Sequence, residues 1–366
     1  MDPTFKGKKA EDRHRSRSRT PGKSSPVRDF IPLSSISRPI SQLQVAPWVR
    51  PHTLKFDDPL LQLHEEIIDF YDYMQPSEKD NEDRLDVIQR IKTIAQELWP
   101  DSQIDVFGSY ETGLWLPNSD IDLVIMTGTD EDLTELINAF AYKICSLGMA
   151  SEMDRILTAK VPILKMKDRK TGIYLDISFN LDNGLQGISV VKEYLEKYPE
   201  AKYIVCVVKY FLKQRGLNDT YSGGVGSFLL FCLVISSIQQ HPAHRQDRKY
   251  YTRYTLAHYL VSFLKLYGED FSYEIVGISI KGEGSYFKKA SKNWYYNEKP
   301  GYIAVECPQN PENDLGKNSF SIELVKKAFS HAYKLFCAQS KKIALTPLNM
   351  IIRVDELIQS RPPCHR

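Results

Sequence analysis

The chain has 366 residues, enough for two packed units and a tail, and its 42% apolar, 11% aromatic and 26% charged residues exclude a collagen-like or wholly disordered protein. The formal net charge of +2 hides a split: residues 1–50 carry 11 Lys and Arg against 4 Asp and Glu, net +7, leaving 37 against 42, net −5, in the remainder. The folded part is therefore not a uniformly basic nucleic-acid binder, and any basic patch must be local. The longest apolar stretch, Val225 to Ile238, runs 14 residues and is interrupted by Gly226, Ser227, Ser236 and Ser237. That is short of the ~18 to 20 a membrane span needs, so it reads as a buried helix with no membrane partner. Six scattered cysteines without a C-x-x-C, and an N-terminus lacking the apolar core of a signal peptide, are expected of a reduced, intracellular protein with neither zinc site nor disulfide framework.

Residues 1–46 form a basic tail rich in Arg and Ser, with Arg13, Arg15, Arg17 and Arg19 alternating with His14, Ser16 and Ser18. With few large apolar residues such a segment is expected to be disordered, either as a plain solvated tail or as an RNA-binding or nuclear-targeting arm. Helical spacing of apolar residues predicts helices over 59–74 and 82–98. The period then changes to short strands at 103–107, 121–126, 161–166 and 173–179, with a helix over 130–145 between the second and third. Beyond 183 helices are predicted near 184–197, 201–214, 226–239, 254–267 and 321–338, with 273–302 as an irregular excursion rich in Gly, Lys, Ser and aromatics. The expected fold class is α+β: a sheet-bearing unit over 81–183, a mostly helical central domain from 47–80 and 184–345, and a C-terminal tail over 346–366.

The chemistry concentrates in three motifs in a fixed order: Gly108-Ser109, then Asp120-Ile121-Asp122, then Asp176 in Leu175-Asp176-Ile177-Ser178-Phe179. On an extended strand residues i and i+2 face the same way, so Asp120 and Asp122 project together while Ile121, Leu123 and Ile125 enter the core. If the Asp176 strand lies alongside, three carboxylates meet. Close like charges disfavour ionisation unless a cation neutralises them, and oxygen-only ligands favour Mg²⁺ or Mn²⁺. Such a cluster suits two-metal phosphoryl transfer, with the Gly-Ser turn free to approach phosphate oxygens. A lone D-x-D is commonly a solvated turn; the full ordered set on predicted strands is what points to chemistry.

The segments GSYETGLWLPNSDIDLVI, LDISFN and YSGGVGSFLLFCLV resemble the DNA polymerase β-like nucleotidyltransferases, and most closely the Trf-type noncanonical poly(A) polymerases, the DNA polymerase sigma group of the TRAMP complex. The likeness runs over roughly residues 47 to 345. It implies a polymerase β-like palm, a helical central domain and nucleotide bound between them. Position by position, Asp120, Asp122 and Asp176 match the metal triad, and Gly108 and Ser109 the phosphate turn. Lys209 and Lys213, four apart on one helix, match a pair used on the β- and γ-phosphates. Ser227 matches a phosphate-contacting serine. Phe228 matches an aromatic that stacks on the incoming base, with ordinary core packing as its rival role.

Asn313 and Asp314 lie in Asn313-Asp314-Leu315-Gly316-Lys317, which resembles the family's nucleotide-recognition loop. Relatives that add uridine carry histidine at the position of Asn313, so the loop resembles the adenylating branch; Cys307 departs from the acidic residue many relatives place before the proline. The implied activity is adenylation of RNA 3′ ends from ATP, in the nucleus, with a zinc-knuckle RNA-binding protein and an RNA helicase as partners. Two rivals stand beside it: a terminal uridylyltransferase, and a catalytically inactive adaptor with the same fold.

Overall fold

The computed structural model describes residues 45–159, 161–180, 186–245, 255–294, 301–338 and 345–362. The basic tail expected over 1–46 falls almost wholly outside the described residues. Two amphipathic helices come first, α1 (Pro59–Tyr73) and α2 (Glu78–Leu98). Asp58 caps α1 through the Leu60 and Leu61 amides, and Ser77 with Asp80 forms a reciprocal capping box at the start of α2.

A five-stranded sheet follows, built from β1 (Gln103–Phe107), β2 (Ile121–Met126), β3 (Ala150–Ile156), β4 (Ile163–Asp168) and β5 (Tyr174–Phe179) in the order β1-β2-β5-β4-β3. Only the central pair, β2 and β5, runs parallel; the other neighbours are antiparallel. The four-residue helix α3 (Gly108–Glu111) follows β1, and α4 (Leu133–Ser146) crosses from β2 to β3. Helices α2 and α4 cover one face of the sheet. Ile121, Leu123, Ile125, Leu175, Ile177 and Phe179, all fully buried, pack there against Val87, Ile91, Phe140 and Ile144. This leaves the opposite face free to present Asp122 and Asp176. Phe140 sits at the centre of the covered face, with ring centroids 6.2 Å from Trp99 and 5.7 Å from Phe179. Phe140→Ala is therefore expected to cost ~3 to 5 kcal/mol, read as a lowered unfolding midpoint in urea.

The second core belongs to α1, α5 (Gln186–Lys197), α6 (Ala201–Lys213), α7 (Ser227–Gln240), α9 (Thr255–Lys265) and α10 (Ile322–Ala338), with the short α8 (Pro242–Arg245) following α7. A small sheet, β6 (Val276–Ser279) flanked by β7 (Ser285–Lys288) and β8 (Ala304–Val305), decorates it. Two sequence expectations need correction. The stretch 273–302 holds a regular β6–β7 hairpin, whose four-residue strands are too short to display an alternating pattern. Residues 346–362 are also no free tail. Leu348, Met350, Ile351, Ile352 and Ile358 are buried in the helical core, and α11 (Glu356–Ser360) is tied to α1 by the Tyr73 hydroxyl donating to Ile358 O at 2.6 Å. Buried Glu66 of α1 clamps both ends of this unit, accepting from Trp48 Nε1 at 3.1 Å, the Leu348 amide at 2.6 Å and the Thr346 hydroxyl. Among the described residues no helix is long and apolar enough to cross a membrane.

Candidate active site

The parallel register sets Asp122 of β2 directly opposite Asp176 of β5. Phe107, the last residue of β1, pairs with Asp122 from the other side, so the turn beginning at Gly108 starts beside the same carboxylate. Gly108 has φ +70°, and a Cβ there would fall 2.0 Å from Asp122 Oδ2, so only glycine allows this approach. Asp120 lies just before β2, exposed at the mouth of the site. Burial, then the charges of Asp120 and Asp176, push the Asp122 carboxyl up to about 7. Burial also raises Asp176, opposed by Lys165, whose Nζ lies 2.7 Å from Asp176 Oδ2.

Crowded carboxylates that resist ionisation, all-oxygen donors and a glycine cradle fit a hard divalent cation held by Asp120, Asp122 and Asp176. Among the described residues no three acidic, histidine or cysteine side chains stand ready-made as a metal cage; Lys165 holds the Asp176 carboxylate instead. Lys165 is the residue that sequence reading overlooked. Its neighbours Leu164 and Met166 are buried, so the period-two rule that faces Asp176 outward also faces Lys165 outward, directly across the ladder.

Helix α6 brings the two lysines, and neither lies on a solvated face. Lys209 is only 4% exposed and donates to Leu114 O at 3.0 Å; burial and the neighbouring Lys213 ammonium pull it down to about 8. Lys213, also lowered by burial, donates to Asn118 O at 3.0 Å and Asn118 Oδ1 at 2.9 Å. Both therefore terminate on the loop that joins α3 to Asp120.

Between the sheet unit and the helices opens a cleft of about 330 Å³. It brings together Gly108, Ser109, Lys209, Ser227, Phe228, Cys307 and Asn313, with Val191, Val205, Phe231 and Leu315 as apolar walls. Ser227 is the exposed first residue of α7, while Phe228 lies half-buried, one side on the helical core and the other on the cleft. Two expected contacts fall elsewhere. Asp314, 3% exposed, is turned inward to accept from the Val305 amide at 3.0 Å and the Gly316 amide at 2.8 Å, so it shapes the recognition loop from within instead of lining the cleft. Lys213 lines a neighbouring hollow beside Asn118. The arrangement can hold a polyphosphate at the Gly-Ser turn and Lys209, place an aromatic face under a flat base, and present carboxylates to the reacting end.

Comparison with known proteins gives the same outline. The family model for the central palm domain of mitochondrial-like poly(A) RNA polymerase matches residues 63–196, and that for the Cid1 family of poly A polymerases matches residues 255–313. Poly(A) RNA polymerase cid14 of Schizosaccharomyces pombe is 34% identical over 82% of this chain and 44% of its own length. The inactive non-canonical poly(A) RNA polymerase protein Trf4-2 of Drosophila melanogaster is 32% identical over 85% of this chain and 79% of its own length. The first five curated relatives extend well beyond this chain, which spans half of their length or less. The polymerase core of TRAMP, an RNA surveillance complex, superposes with a TM-score of 0.75 at 30% identity, covering 85% of this chain and 100% of that one.

Proposed function

The chain belongs to the Trf-type non-canonical poly(A) RNA polymerase family, and from that premise we propose that it adds AMP from ATP to RNA 3′ ends, releasing pyrophosphate. The observation that carries this reading is the facing of Asp122 and Asp176 across parallel strands, with Asp120 adjacent and with Gly108, which lines the Lys209–Phe228–Asn313 cleft, against Asp122. Asp120, Asp122 and Asp176 would hold Mg²⁺ or Mn²⁺, which when bound supplies charge stabilisation on the triphosphate and a more acidic 3′-hydroxyl. The protein's own groups do the rest. Ser109, the amides of its turn and Lys209 hold phosphate oxygens; Ser227 adds a contact at the N-terminus of α7, where free amides favour anions. Phe228 stacks on the base without regard to its identity, and Asn313 reads its edge.

Lys213 refines this picture, because its ammonium lies on Asn118, two residues before Asp120, and would exchange those two oxygens for a phosphate oxygen. Lys213→Ala is expected to lower kcat/KM for ATP roughly 10- to 150-fold, through a raised KM and a lowered kcat, since charge-assisted contacts of this kind contribute roughly 1.5 to 3 kcal/mol. An unaltered ATP titration would confine Lys213 to holding the loop.

A second reading is favoured by the likeness to the Drosophila protein whose name describes it as inactive: a fold kept for docking without chemistry. Presence of all three carboxylates supports the active reading. We further infer a nuclear protein, on the strength of the +7 N-terminal segment, that tails RNA for surveillance and decay with a zinc-knuckle RNA-binding protein and an RNA helicase. The deciding assay offers the purified protein a 3′-hydroxyl oligo(A) RNA with each NTP separately, in Mg²⁺ and in Mn²⁺. Extension with ATP is expected; extension with UTP alone means uridylylation, and none under any condition means the inactive reading.

A further inference from the structure

The three carboxylates are not held alike. Asp122 and Asp176 sit inside hydrogen-bonded ladders, each fixed by strands on both sides. Asp120 precedes the first paired residue of β2 and has no ladder partner. Its placement depends on the loop 115–119, and that loop is held by a buried arginine from α2. Arg84 is 1% exposed and donates from Nη2 to Ser119 O at 2.6 Å and to Pro117 O at 3.2 Å. Its guanidinium lies 4.1 Å from the centroid of the Trp115 ring, at the start of the same loop. The Ser119 carbonyl belongs to the peptide that joins Ser119 to Asp120, so this bond fixes the plane from which the Asp120 side chain departs. Within the loop the Leu116 amide donates to Ser119 Oγ at 3.0 Å and the Ser119 amide to Leu116 O at 2.8 Å, closing a tight turn.

A buried cation is a costly way to hold a loop, because the charge is desolvated with no carboxylate bonded to it. Arg84 Nη1, moreover, has no hydrogen-bond partner. An apolar side chain would suit the neighbouring faces of α2, where Val87 and Ile91 are fully buried. What an apolar residue could not do is donate to two carbonyls at once, here both from Nη2, while the flat guanidinium stacks on an indole. We propose that Arg84 is a positioning residue for the proposed reaction, fixing Asp120 against Asp122 through the 115–119 loop. The inference rests on the reading of Asp120 as a metal-binding carboxylate.

The test compares wild type with Arg84→Lys, which keeps the charge and loses the flat guanidinium that spans Trp115 and the two carbonyls, and Arg84→Met, which keeps the stem. Mn²⁺ binding to the full chain is followed by electron paramagnetic resonance without RNA, and ATP incorporation by steady-state kinetics. Both variants are expected to lower kcat about 10- to 100-fold with KM for ATP within about threefold, as displacement of a reacting group by an ångström does. The Mn²⁺ concentration for half-saturation should rise about tenfold. A folded variant that melts earlier but keeps the wild-type metal half-saturation and kcat overturns the proposal and leaves Arg84 a packing residue. Should neither variant fold, Trp115→Leu removes the stacking surface under Arg84, together with the Tyr110 ring contact, and is read by the same two measurements. If wild type binds Mn²⁺ but extends no RNA, the proposed function fails while the Mn²⁺ titration still decides the role of Arg84.

Discussion

Asp122→Asn is expected to abolish RNA extension and, in the metal-free protein, to raise the melting temperature. The first effect follows from removing the central carboxylate of the three; losing a group of this kind removes several kcal/mol of transition-state stabilisation, a drop on the order of 10³-fold or more. The second follows from the electrostatics of the empty carboxylate cluster. Burial and the charges of Asp120 and Asp176 hold the folded Asp122 carboxyl at about 7, above its ordinary value of 3.8. A group whose folded value is raised binds its proton more tightly in the native state. Its contribution is fully favourable below about pH 4 and is lost as pH rises toward and through 7. Asparagine carries no such titration, so the variant's advantage in melting temperature should be absent near pH 4 and grow to a plateau above pH 7. Differential scanning calorimetry in EDTA across that range, beside a primer-extension assay, reads both effects. Extension within tenfold of wild type would remove Asp122 from the chemistry, and a melting difference independent of pH would contradict the crowding of carboxylates.

Asn313→His should shift incorporation from ATP toward UTP. Phe228 offers a face on which any base can stack, so discrimination must come from groups at the base edge. Asn313 lines the cleft with Cys307 and Gln309. Its position is fixed by backbone bonds from the Cys307 amide to Asn313 O at 3.0 Å and from the Asn313 amide to Asn310 O at 2.9 Å. Asp314, buried immediately behind, braces the same turn. Because the loop is braced from inside, a histidine at 313 should project into the cleft rather than displace the backbone. There it fills space that a purine's second ring requires and leaves room for a pyrimidine. A contact of this type discriminates by ~1 to 3 kcal/mol, roughly 10- to 200-fold in the UTP to ATP ratio. Competition between labelled ATP and UTP on one primer measures that ratio, and a ratio unmoved by the substitution would place base choice elsewhere in the cleft.

How far the sequence reveals this molecule depends on how each feature is encoded. Two of the three carboxylates are legible because period-two alternation separates Asp122 and Asp176 from the buried Ile121, Leu123, Leu175 and Ile177, whereas Asp120, which the sequence reading sets on the same strand, lies one residue before it. What alternation could not supply was that β2 and β5 are neighbours; that is a property of the sheet order. Edge strand β3, Ala150–Ile156, escapes because Glu152, Asp154 and Arg155 leave little apolar pattern, and its pairing with β4 is made by backbone rather than by burial. Asp314 shows the limit of motif matching. A residue of the right type at the right spacing can serve a loop from within, and only burial and its two backbone donors reveal it. Lys209 and Lys213 show the converse, since a lysine pair on a helix reads as solvated until α6 is seen buried along most of its length. The C-terminal segment was unreadable as core because its apolar residues, Leu348 to Ile352 and Ile358, follow no helical or strand period and meet α1 across nearly the whole chain.

The most direct measurement is anomalous diffraction from crystals of the full chain grown with Mn²⁺ and a non-hydrolysable ATP analogue. Manganese density is expected between Asp120, Asp122 and Asp176, with the triphosphate against Ser109, Lys209 and Ser227 and the adenine between Phe228 and Asn313. Manganese bound away from the three carboxylates, or nucleotide outside the cleft, with Lys165 still on Asp176, would contradict this arrangement.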